Sequence, residues 1–274
     1  MAERSGKTWL IVGASRGIGH EFARQLLNRG DDVVVTVRQP SKVHSVAFWT
    51  DAGIDSSCCT ALECDVLSEK SIDKCIAEFA KIQGLRLDNV VINAGVLKYP
   101  NRSILYASQH RTDDWLPTRG SSYDDFAHHL HTNTIGPIIF AQRLLKTPIP
   151  VGTITFISSD SGSAAAFRDF EDGFAAYSAS KAALNQMARH MAAELKRQGC
   201  QTAILLLHPG EVKTDMANIE VEWEVEGQME VGESVAACIT TMESKGLADS
   251  GTFWTWKGEV SGQAVPCGKL PSLT

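Results

Sequence analysis

A tyrosine and a lysine four residues apart, Tyr177 and Lys181, are the side chains of this sequence best placed for acid–base chemistry. In a helix the spacing i, i+4 puts the phenol and the ammonium group on one face. A phenol with a pKa of about 10 is a poor acid or base near neutrality, but a neighbouring cation favours the phenolate and lowers that pKa. The pair indicates proton transfer to or from an oxygen, although such pairs also occur on helix surfaces by coincidence.

A glycine-rich segment near the N-terminus is suited to binding phosphate groups. Gly13, Gly17 and Gly19 form the pattern G-x-x-x-G-x-G between an apolar run and the first amphipathic stretch. Glycines allow a tight turn and let a pyrophosphate approach the backbone at a helix N-terminus. The spacing differs from the G-x-G-x-x-G fingerprint of many dinucleotide-binding folds, so an ordinary strand–helix turn is the alternative.

Basic residues accompany this turn. Arg38 ends the second apolar run, where a Rossmann-type fold that prefers NAD carries an acidic residue for the ribose 2′-hydroxyl. With Arg16 and Ser15 it could instead neutralise a 2′-phosphate, which favours NADP(H) over NAD(H). The alternative is two solvated surface arginines.

Two more turns follow strands. Asp65 and Val66 come after a weaker apolar run and could reach an adenine edge, or Asp65 could merely cap the next helix. Asn93, Ala94 and Gly95 end the next run, and their small side chains would let the chain pass close to a cofactor.

Strands and helices that alternate along the chain must position these residues. Short apolar runs predict strands, and stretches with apolar residues three and four apart predict helices. Strands are predicted at 9–12, 33–37, 60–64, 89–92, 153–157 and 203–207, and helices at 18–28, 68–83, 123–145 and 177–198. The fold class is α/β: a single-domain Rossmann fold over residues 1–274, with a doubly wound parallel sheet covered by helices on both faces. Ligands of such sheets bind at the carboxyl ends of the strands.

Composition argues against several classes of protein. With 43% hydrophobic and 21% charged residues, the chain resembles an ordinary globular protein. A net charge of -6 would repel nucleic acid, and no apolar run approaches the roughly 20 residues of a membrane-spanning helix. No signal-peptide pattern is visible, so a cytoplasmic location is expected. The seven cysteines fit neither a disulfide framework nor a metal site, and buried reduced thiols are expected.

The order of the three main motifs resembles that of the short-chain dehydrogenase/reductase family, in which G-x-x-x-G-x-G, N-A-G and Y-x-x-x-K follow one another. The resemblance covers nearly the whole chain. It implies hydride transfer between NADP(H) and a small-molecule carbonyl or alcohol, with Tyr177 as the acid–base group. It also implies a homodimer or homotetramer, paired through the helices predicted at 123–145 and 177–198.

The family's cofactor contacts fall on matching positions of this sequence. The resemblance implies that Gly13, Gly17, Ile18 and Gly19 line the pyrophosphate, Arg38 the 2′-phosphate, Asp65 the adenine and Asn93 the ribose side of the cofactor. Pro209-Gly210-Glu-Val212-Lys-Thr214 resembles the P-G-x-V-x-T segment that holds the nicotinamide carboxamide.

Two further catalytic residues are implied by the same resemblance. Ser159 matches the serine of S-x-x-G, in preference to the neighbouring serines 158, 161 and 163, and would hydrogen-bond the substrate oxygen. Asn133 matches a helix asparagine that holds a water in the proton relay behind Lys181. The alternative for Asn133 is a helix-interior side chain bonded to backbone.

The chain also departs from the family pattern. Val12 stands where a threonine often precedes the first glycine, and Ile92 replaces the first asparagine of a common N-N-A-G. The interval from Ser159 to Tyr177 is longer than usual. This interval and the ending over residues 251–258 resemble the branch of C-factor and sniffer-type carbonyl reductases.

Two irregular segments, 96–122 and 211–233, are predicted to form the substrate pocket and its lid within the single domain. Four aromatic residues in them could wall an apolar pocket or merely pack the loops: Tyr99, Tyr106, Trp115 and Trp223. An acidic group is interpreted as a solvated lid face: Glu220, Glu222, Glu224 and Glu226.

Two other functions stay open at this point. The fold could serve an NADP(H)-binding regulator that catalyses nothing, since fold alone does not establish function. An epimerase or dehydratase is the third reading, which the cofactor-turn spacing and the short chain disfavour.

Overall fold

A parallel sheet of seven strands forms the centre of the protein. The structure, a computed structural model, describes residues 6–40, 49, 58–98, 104, 121–165, 167–168, 173–218, 225 and 227–261. The strands are β1 (Thr8–Val12), β2 (Asp32–Val37), β3 (Cys59–Glu63), β4 (Leu87–Ile92), β5 (Val151–Ile157), β6 (Ala203–His208) and β7 (Thr252–Thr255). Their spatial order is β3-β2-β1-β4-β5-β6-β7, which confirms the predicted fold class.

Helices cover both faces of this sheet. They are α1 (Gly17–Arg29), α2 (Glu69–Phe79), α3 (Tyr123–Leu130), α4 (Gly136–Leu145), α5 (Ala175–Arg197) and α6 (Val231–Glu243). A π-helical turn, His131–Ile135, joins α3 to α4, and short 3-10 turns cover Asp160–Gly162 and Leu247–Asp249. None of the helices in the described part of the chain has the length and hydropathy needed to cross a bilayer.

Two apolar layers hold the helices to the sheet. On one face, α2 and α4 pack with Phe79 and Phe140 edge to face, their ring centroids 6.4 Å apart, above Phe156 of β5. On the other face, α1 and α6 bury Trp9 and Phe22 among other side chains. Because both faces are covered, the central strands are almost wholly apolar and buried.

The chain reverses its direction of travel across the sheet at β1. Ile11 of β1 lies between Val35 of β2 and Val91 of β4, so the chain first builds outward to β3 and then returns to β4 on the other side. A crevice therefore opens at the carboxyl ends of β1 and β4, where folds of this kind bind their ligands.

Several predicted boundaries were wrong. The helix predicted over 123–145 contains the π-helical turn, because Pro137 has no N–H to donate to the carbonyl of Asn133. The helix predicted to open at Tyr177 begins at Ala175, and α2 ends at Phe79 rather than at residue 83. Helix α6 and strand β7 were not predicted as elements, and α6 begins inside the segment 211–233.

The cysteines of the described chain are free thiols, but the expectation that they are buried holds for only half of them. Cys64, Cys75 and Cys238 are buried, whereas Cys58, Cys59 and Cys200 are partly exposed. Burial raises the pKa of the Cys238 thiol to about 12, so this side chain behaves as a small apolar group.

Candidate active site

A cleft of about 500 Å³ occupies the crevice at the carboxyl ends of the strands. Most of the predicted site residues line it: Gly13, Ser15, Arg16, Gly17, Ile18, Arg38, Asp65, Val66, Asn93, Ala94, Gly95, Tyr177, Lys181, Pro209 and Thr214. Five others lie outside its wall: Gly19, Asn133, Ser159, Gly210 and Val212. The fold thus brings the glycine turn and the tyrosine–lysine pair to one cavity.

The glycine turn has a shape that only glycine permits. Gly13 and Gly17 have φ values of +87° and +56°, in the left-handed region. A Cβ on Gly13 would lie 2.9 Å from Ala94 Cα, and one on Gly19 would lie 2.2 Å from the carbonyl oxygen of Gly13. The Arg16 side chain does not cap α1, and no acidic residue lies in the first turn of that helix. The N-terminus of α1 can therefore receive an anionic group from the cleft.

Two side chains hold the carbonyl groups of the turn. Asn93 Nδ2 donates to the Gly13 carbonyl at 2.9 Å, and the buried Trp49 indole donates to the Ala14 carbonyl at 3.2 Å. These hydrogen bonds give both carbonyl groups donors within the protein. Trp49 was not predicted, because it belongs to none of the sequence motifs.

Asp65 lies two residues after β3 but does not cap the helix that follows. Its Oδ1 accepts a hydrogen bond from Leu67 N at 3.0 Å, whereas Ser68 caps α2 by accepting from Ser71 N at 3.3 Å. The capping alternative for Asp65 was therefore wrong. Its carboxylate belongs to a local turn that lines the cleft.

Tyr177 lies in the first turn of α5, and Lys181 is buried one turn later. Lys181 Nζ donates to the Ile157 carbonyl at 2.9 Å and lies 5.7 Å from the centroid of the Tyr177 ring. Burial lowers the pKa of Lys181 to about 8. The ammonium group thus carries its charge at neutral pH and can exchange a proton only slightly above it.

Asn133 lies in the π-helical turn and is fully buried. Its Nδ2 donates to the Val96 carbonyl at 2.8 Å and to Ser180 Oγ at 2.9 Å, and its Oδ1 accepts from Val96 N at 2.7 Å. The side chain therefore bonds backbone, as the alternative reading held. Asn133 Oδ1 and Lys181 Nζ would lie 3.3 and 3.6 Å from a Cβ on Gly95, so the three motifs meet at that glycine.

Ser159 begins the loop after β5. Its Oγ accepts from Ser161 N at 3.2 Å and so caps the 3-10 turn. Ser158, the residue before it, lines the cleft and donates to Asn185 Oδ1 at 2.5 Å. A Cβ on Gly162 would lie 2.7 Å from the Lys181 carbonyl carbon, which shows why the loop carrying Ser159 needs a glycine to pack on α5.

The segment after β6 closes the far end of the cleft. Gly210 has a φ of +88°, and a Cβ there would lie 2.8 Å from the Trp256 indole nitrogen. The Ser234 hydroxyl donates to the Pro209 carbonyl at 2.7 Å, which ties this segment to α6. Val212 is buried behind the wall, while Thr214 lines it.

Comparison with known proteins identifies the family. A family model described as short chain dehydrogenase matches residues 7–225 of this chain. The chain belongs to that family. A 1-hydroxy-2-glutathionyl-2-methyl-3-butene dehydrogenase of Rhodococcus sp. (strain AD45) is 30% identical over 214 residues, which are 76% of this chain and 79% of that relative.

Solved structures resemble this short chain dehydrogenase over most of its length. An NADPH-bound carbonyl reductase from chicken fatty liver is 26% identical, with a TM-score of 0.72 over 93% of this chain and 98% of the other. The carbonyl reductase Sniffer of D. melanogaster has the same fold, with 24% identity and a TM-score of 0.69 over 93% and 98% of the two chains.

The aromatic residues predicted to wall the pocket of this short chain dehydrogenase, and the glutamates predicted to form a solvated lid face, lie outside the described residues. They are Tyr99, Tyr106, Trp115 and Trp223, together with Glu220, Glu222, Glu224 and Glu226. From the two segments themselves, Val96, Lys98, Lys213, Asp215, Met216 and Val231 line the cleft. His128 of α3 and Thr132 of the π-helical turn line it too and were not predicted.

Proposed function

We propose that this protein is an NADP(H)-dependent oxidoreductase that interconverts a carbonyl compound and an alcohol. The observation that carries the proposal is the position of Tyr177, at the cleft wall, beside a buried Lys181 whose Nζ lies 5.7 Å from its ring. The NADPH-bound carbonyl reductase of similar fold and the dehydrogenase relative support this reaction class.

The residues of the cleft fit NADP(H). An uncapped helix N-terminus beside a glycine turn suits the pyrophosphate. Arg16 and Arg38 line the same cleft and would hold a 2′-phosphate, a group for which guanidinium is well suited. Pro209 and Thr214 would flank the nicotinamide. When bound, NADPH supplies the hydride.

Proton transfer belongs to the protein. In the reducing direction the Tyr177 hydroxyl donates its proton to the substrate oxygen, and Lys181 stabilises the phenolate that remains. The Ile157 carbonyl fixes the ammonium group in place at 2.9 Å. Ser159 would hydrogen-bond the substrate oxygen after turning its hydroxyl from the 3-10 turn. Asn133 would act indirectly, through the structure around Gly95. Because Pro137 has no N–H, the backbone carbonyl of Asn133 lacks the usual i+4 hydrogen-bond donor.

We also propose that segments 96–122 and 211–233 select the substrate, and that the enzyme forms a homodimer or homotetramer. Val96, Met216 and Val231 place apolar side chains from both segments in the cleft wall. Ile135 and Met187 lie on the helices predicted to pair, and each is 46% exposed, as apolar interface residues of a separated protomer would be.

Consumption of NADPH with a panel of aldehydes and ketones tests the function. Oxidation of NADPH coupled to one equivalent of alcohol is expected for at least one class of carbonyl compound. Tight NADPH binding without turnover of any panel member would instead support the regulator, and turnover without net NADPH consumption would support an epimerase or dehydratase.

A further inference from the structure

A charged cluster beside the cleft has no role in the proposed proton transfer. It consists of Asp160, Arg168, His208 and Glu211, which come from the loop after β5, the segment before α5, the end of β6 and the loop after β6. Asp160 follows Ser159 directly, and Glu211 follows Gly210. The cluster therefore joins the two loops that border the catalytic end of the cleft.

One arginine contacts both loops. Arg168 Nη2 donates to Asp160 Oδ2, and Arg168 Nη1 lies 3.7 Å from Glu211 Oε1. The side chains of Arg168, Asp160 and Glu211 are 30%, 22% and 41% exposed, respectively. This bridge therefore lies near the protein surface and not in the core. Arg168 reaches back to Asp160 from within the unusually long interval before Tyr177.

Arg168 is the cation of this cluster. His208 Nε2 lies 3.7 Å from Asp160 Oδ2, which would make an ion pair only if the imidazole were protonated. Burial lowers the pKa of His208, and Arg168 and Lys181 lower it further against the opposing effect of Asp160. At neutral pH the imidazole is uncharged, so the guanidinium supplies the positive charge that offsets part of the negative charge of the two carboxylates.

The same geometry decides against a metal site. Asp160, His208 and Glu211 offer ligand atoms within 4.8 Å of one another, a spacing at which a cation could gather them. The guanidinium of Arg168 already forms ion pairs with both carboxylates, in the place of a metal cation. Without it, two negative groups at that separation would repel each other and push the loops apart.

We propose that Arg168 is a positioning residue that holds the loops after β5 and β6 together, and thereby places Ser159 and the Pro209–Gly210 turn around the reacting end of the cofactor. The proposal rests on the proposed function. It also gives a reason for the long interval between Ser159 and Tyr177: the added length carries an arginine back to the catalytic loop.

The test compares Arg168→Met with Arg143→Met. Arg143 is a matched control, since it is 27% exposed and also bridges two carboxylates, Glu69 and Asp73, on the surface of α2 and α4. Binding of NADPH is measured beside binding of adenosine 2′,5′-bisphosphate, which carries only the adenosine end of the cofactor. Turnover, KM and the thermal midpoint are measured for every variant.

Arg168→Met is expected to raise the Kd for NADPH by about fivefold, to leave the Kd for adenosine 2′,5′-bisphosphate unchanged, and to lower kcat by about tenfold. Arg143→Met should change none of these. Adding Glu211→Gln to Arg168→Met removes the repulsion and should restore part of both losses. Arg168→Lys keeps the charge but not the planar guanidinium, so its Kd for NADPH and its kcat should lie between those of wild type and Arg168→Met.

Three results would overturn the proposal. They are equal NADPH binding by the Arg168→Met and Arg143→Met proteins, equal weakening of both ligands, and saturable Zn²⁺ binding by the wild-type chain that His208→Gln abolishes. If Arg168→Met does not fold, the test instead compares the Kd values of Arg168→Lys and Glu211→Gln for NADPH and for adenosine 2′,5′-bisphosphate. A wild-type protein that binds NADPH without turnover refutes the proposed function alone, because the ligand pair still reports on Arg168.

Discussion

At the scale of single residues, Lys181 combines an energetically unfavourable buried charge with a proposed role in proton transfer. A buried ammonium group is retained beside Tyr177, where it donates a hydrogen bond to the Ile157 carbonyl. Burial lowers the pKa of Lys181 from 10.5 to about 8. The folded state thus binds this proton less tightly than the unfolded state does, which costs stability wherever the amine is charged.

Lys181→Met should therefore stabilise the protein while it abolishes turnover. The expected gain in the free energy of unfolding at pH 7 is about 2 kcal/mol, the cost of the pKa shift less that of the lost hydrogen bond. The gain is fully present below pH 8 and shrinks as the pH rises from 8 to 10.5, because the folded wild-type protein has then released its proton.

Denaturant unfolding of both proteins at pH 7 and pH 10 measures this gain. Lys70→Met, which changes an exposed lysine of α2, is the control and should alter neither stability nor turnover. A Lys181→Met protein that is less stable than wild type at pH 7 would show that burial of the ammonium is not a net cost.

Arg38 carries the second prediction at this scale. Arg38→Leu should raise the Kd for NADPH by about tenfold and leave the Kd for NADH within about twofold, because only NADPH carries the 2′-phosphate. The effect is modest since the side chain is exposed. Arg86→Leu, at an exposed arginine paired with Asp88, is the control. Equal weakening of both cofactors would place the 2′-phosphate elsewhere.

The residue types and their order predicted many of the side chains that line the cleft, although Asn133 and Ser159 were predicted with them and lie outside its wall. Tyr177, Lys181 and Arg38 all lie where the motifs placed them. The burial of Lys181 and its bond to Ile157 depend on how α5 packs against β5, and spacing along the chain contains no such information. Arg168 was missed because its partners, Asp160 and Glu211, are far apart in sequence.

At the scale of elements, the π-helical turn between α3 and α4 organises the site. Asn133 connects this turn to Val96 after β4 and to Ser180 of α5, so three elements share one buried amide. The apolar stripe of the two helices runs on without a break, which is why periodicity predicted a single helix. Pro137 was the visible signal of the interruption.

Asn133→Ala should lower both stability and turnover. It leaves the N–H and the carbonyl of Val96 without their partner, which is expected to cost about 3 kcal/mol of unfolding free energy. Thr134→Val, which removes one neighbouring hydroxyl bond to the Ser180 carbonyl, is the control and should cost about 1 kcal/mol. Denaturant unfolding distinguishes the two. Equal losses would mean that Asn133 does not bridge the three elements.

Helix α6 could have been predicted, whereas β7 offered little signal. Val235, Cys238, Ile239 and Met242 are buried at helical spacing, but they follow an irregular segment that was extended too far. Strand β7 has four residues and one fully buried side chain, Phe253, so its pairing with β6 rather than its own pattern defines it.

At the scale of the whole molecule, Ile135 and Met187, two exposed apolar residues on the helices predicted to pair, favour the proposed self-association. Met187→Glu should convert the assembly to smaller species, because it places a charge on the helix predicted to pair. Leu247→Glu changes a residue of matched exposure, 47% against 46%, outside those helices and should keep the pair intact. Light scattering after size-exclusion chromatography measures both. A Met187→Glu protein of unchanged mass would exclude α5 from the interface.

The architecture follows from the sequence at this scale with little ambiguity. Alternating strands and helices with apolar central strands leave a doubly wound parallel sheet as the favoured arrangement. The substrate is not encoded in that pattern, because strand and helix periodicity does not specify the side chains of the segments proposed to select it.

Tyr177 as the general acid is the central feature of the proposed mechanism. Tyr177→Phe removes one hydroxyl, and Tyr123→Phe does the same at a tyrosine that is 86% exposed on α3. With a carbonyl substrate of the wild-type enzyme, Tyr177→Phe should keep its NADPH affinity and thermal midpoint while kcat falls by about 10²- to 10⁴-fold. Tyr123→Phe should match wild type. Near-normal turnover by Tyr177→Phe would contradict the proposed mechanism.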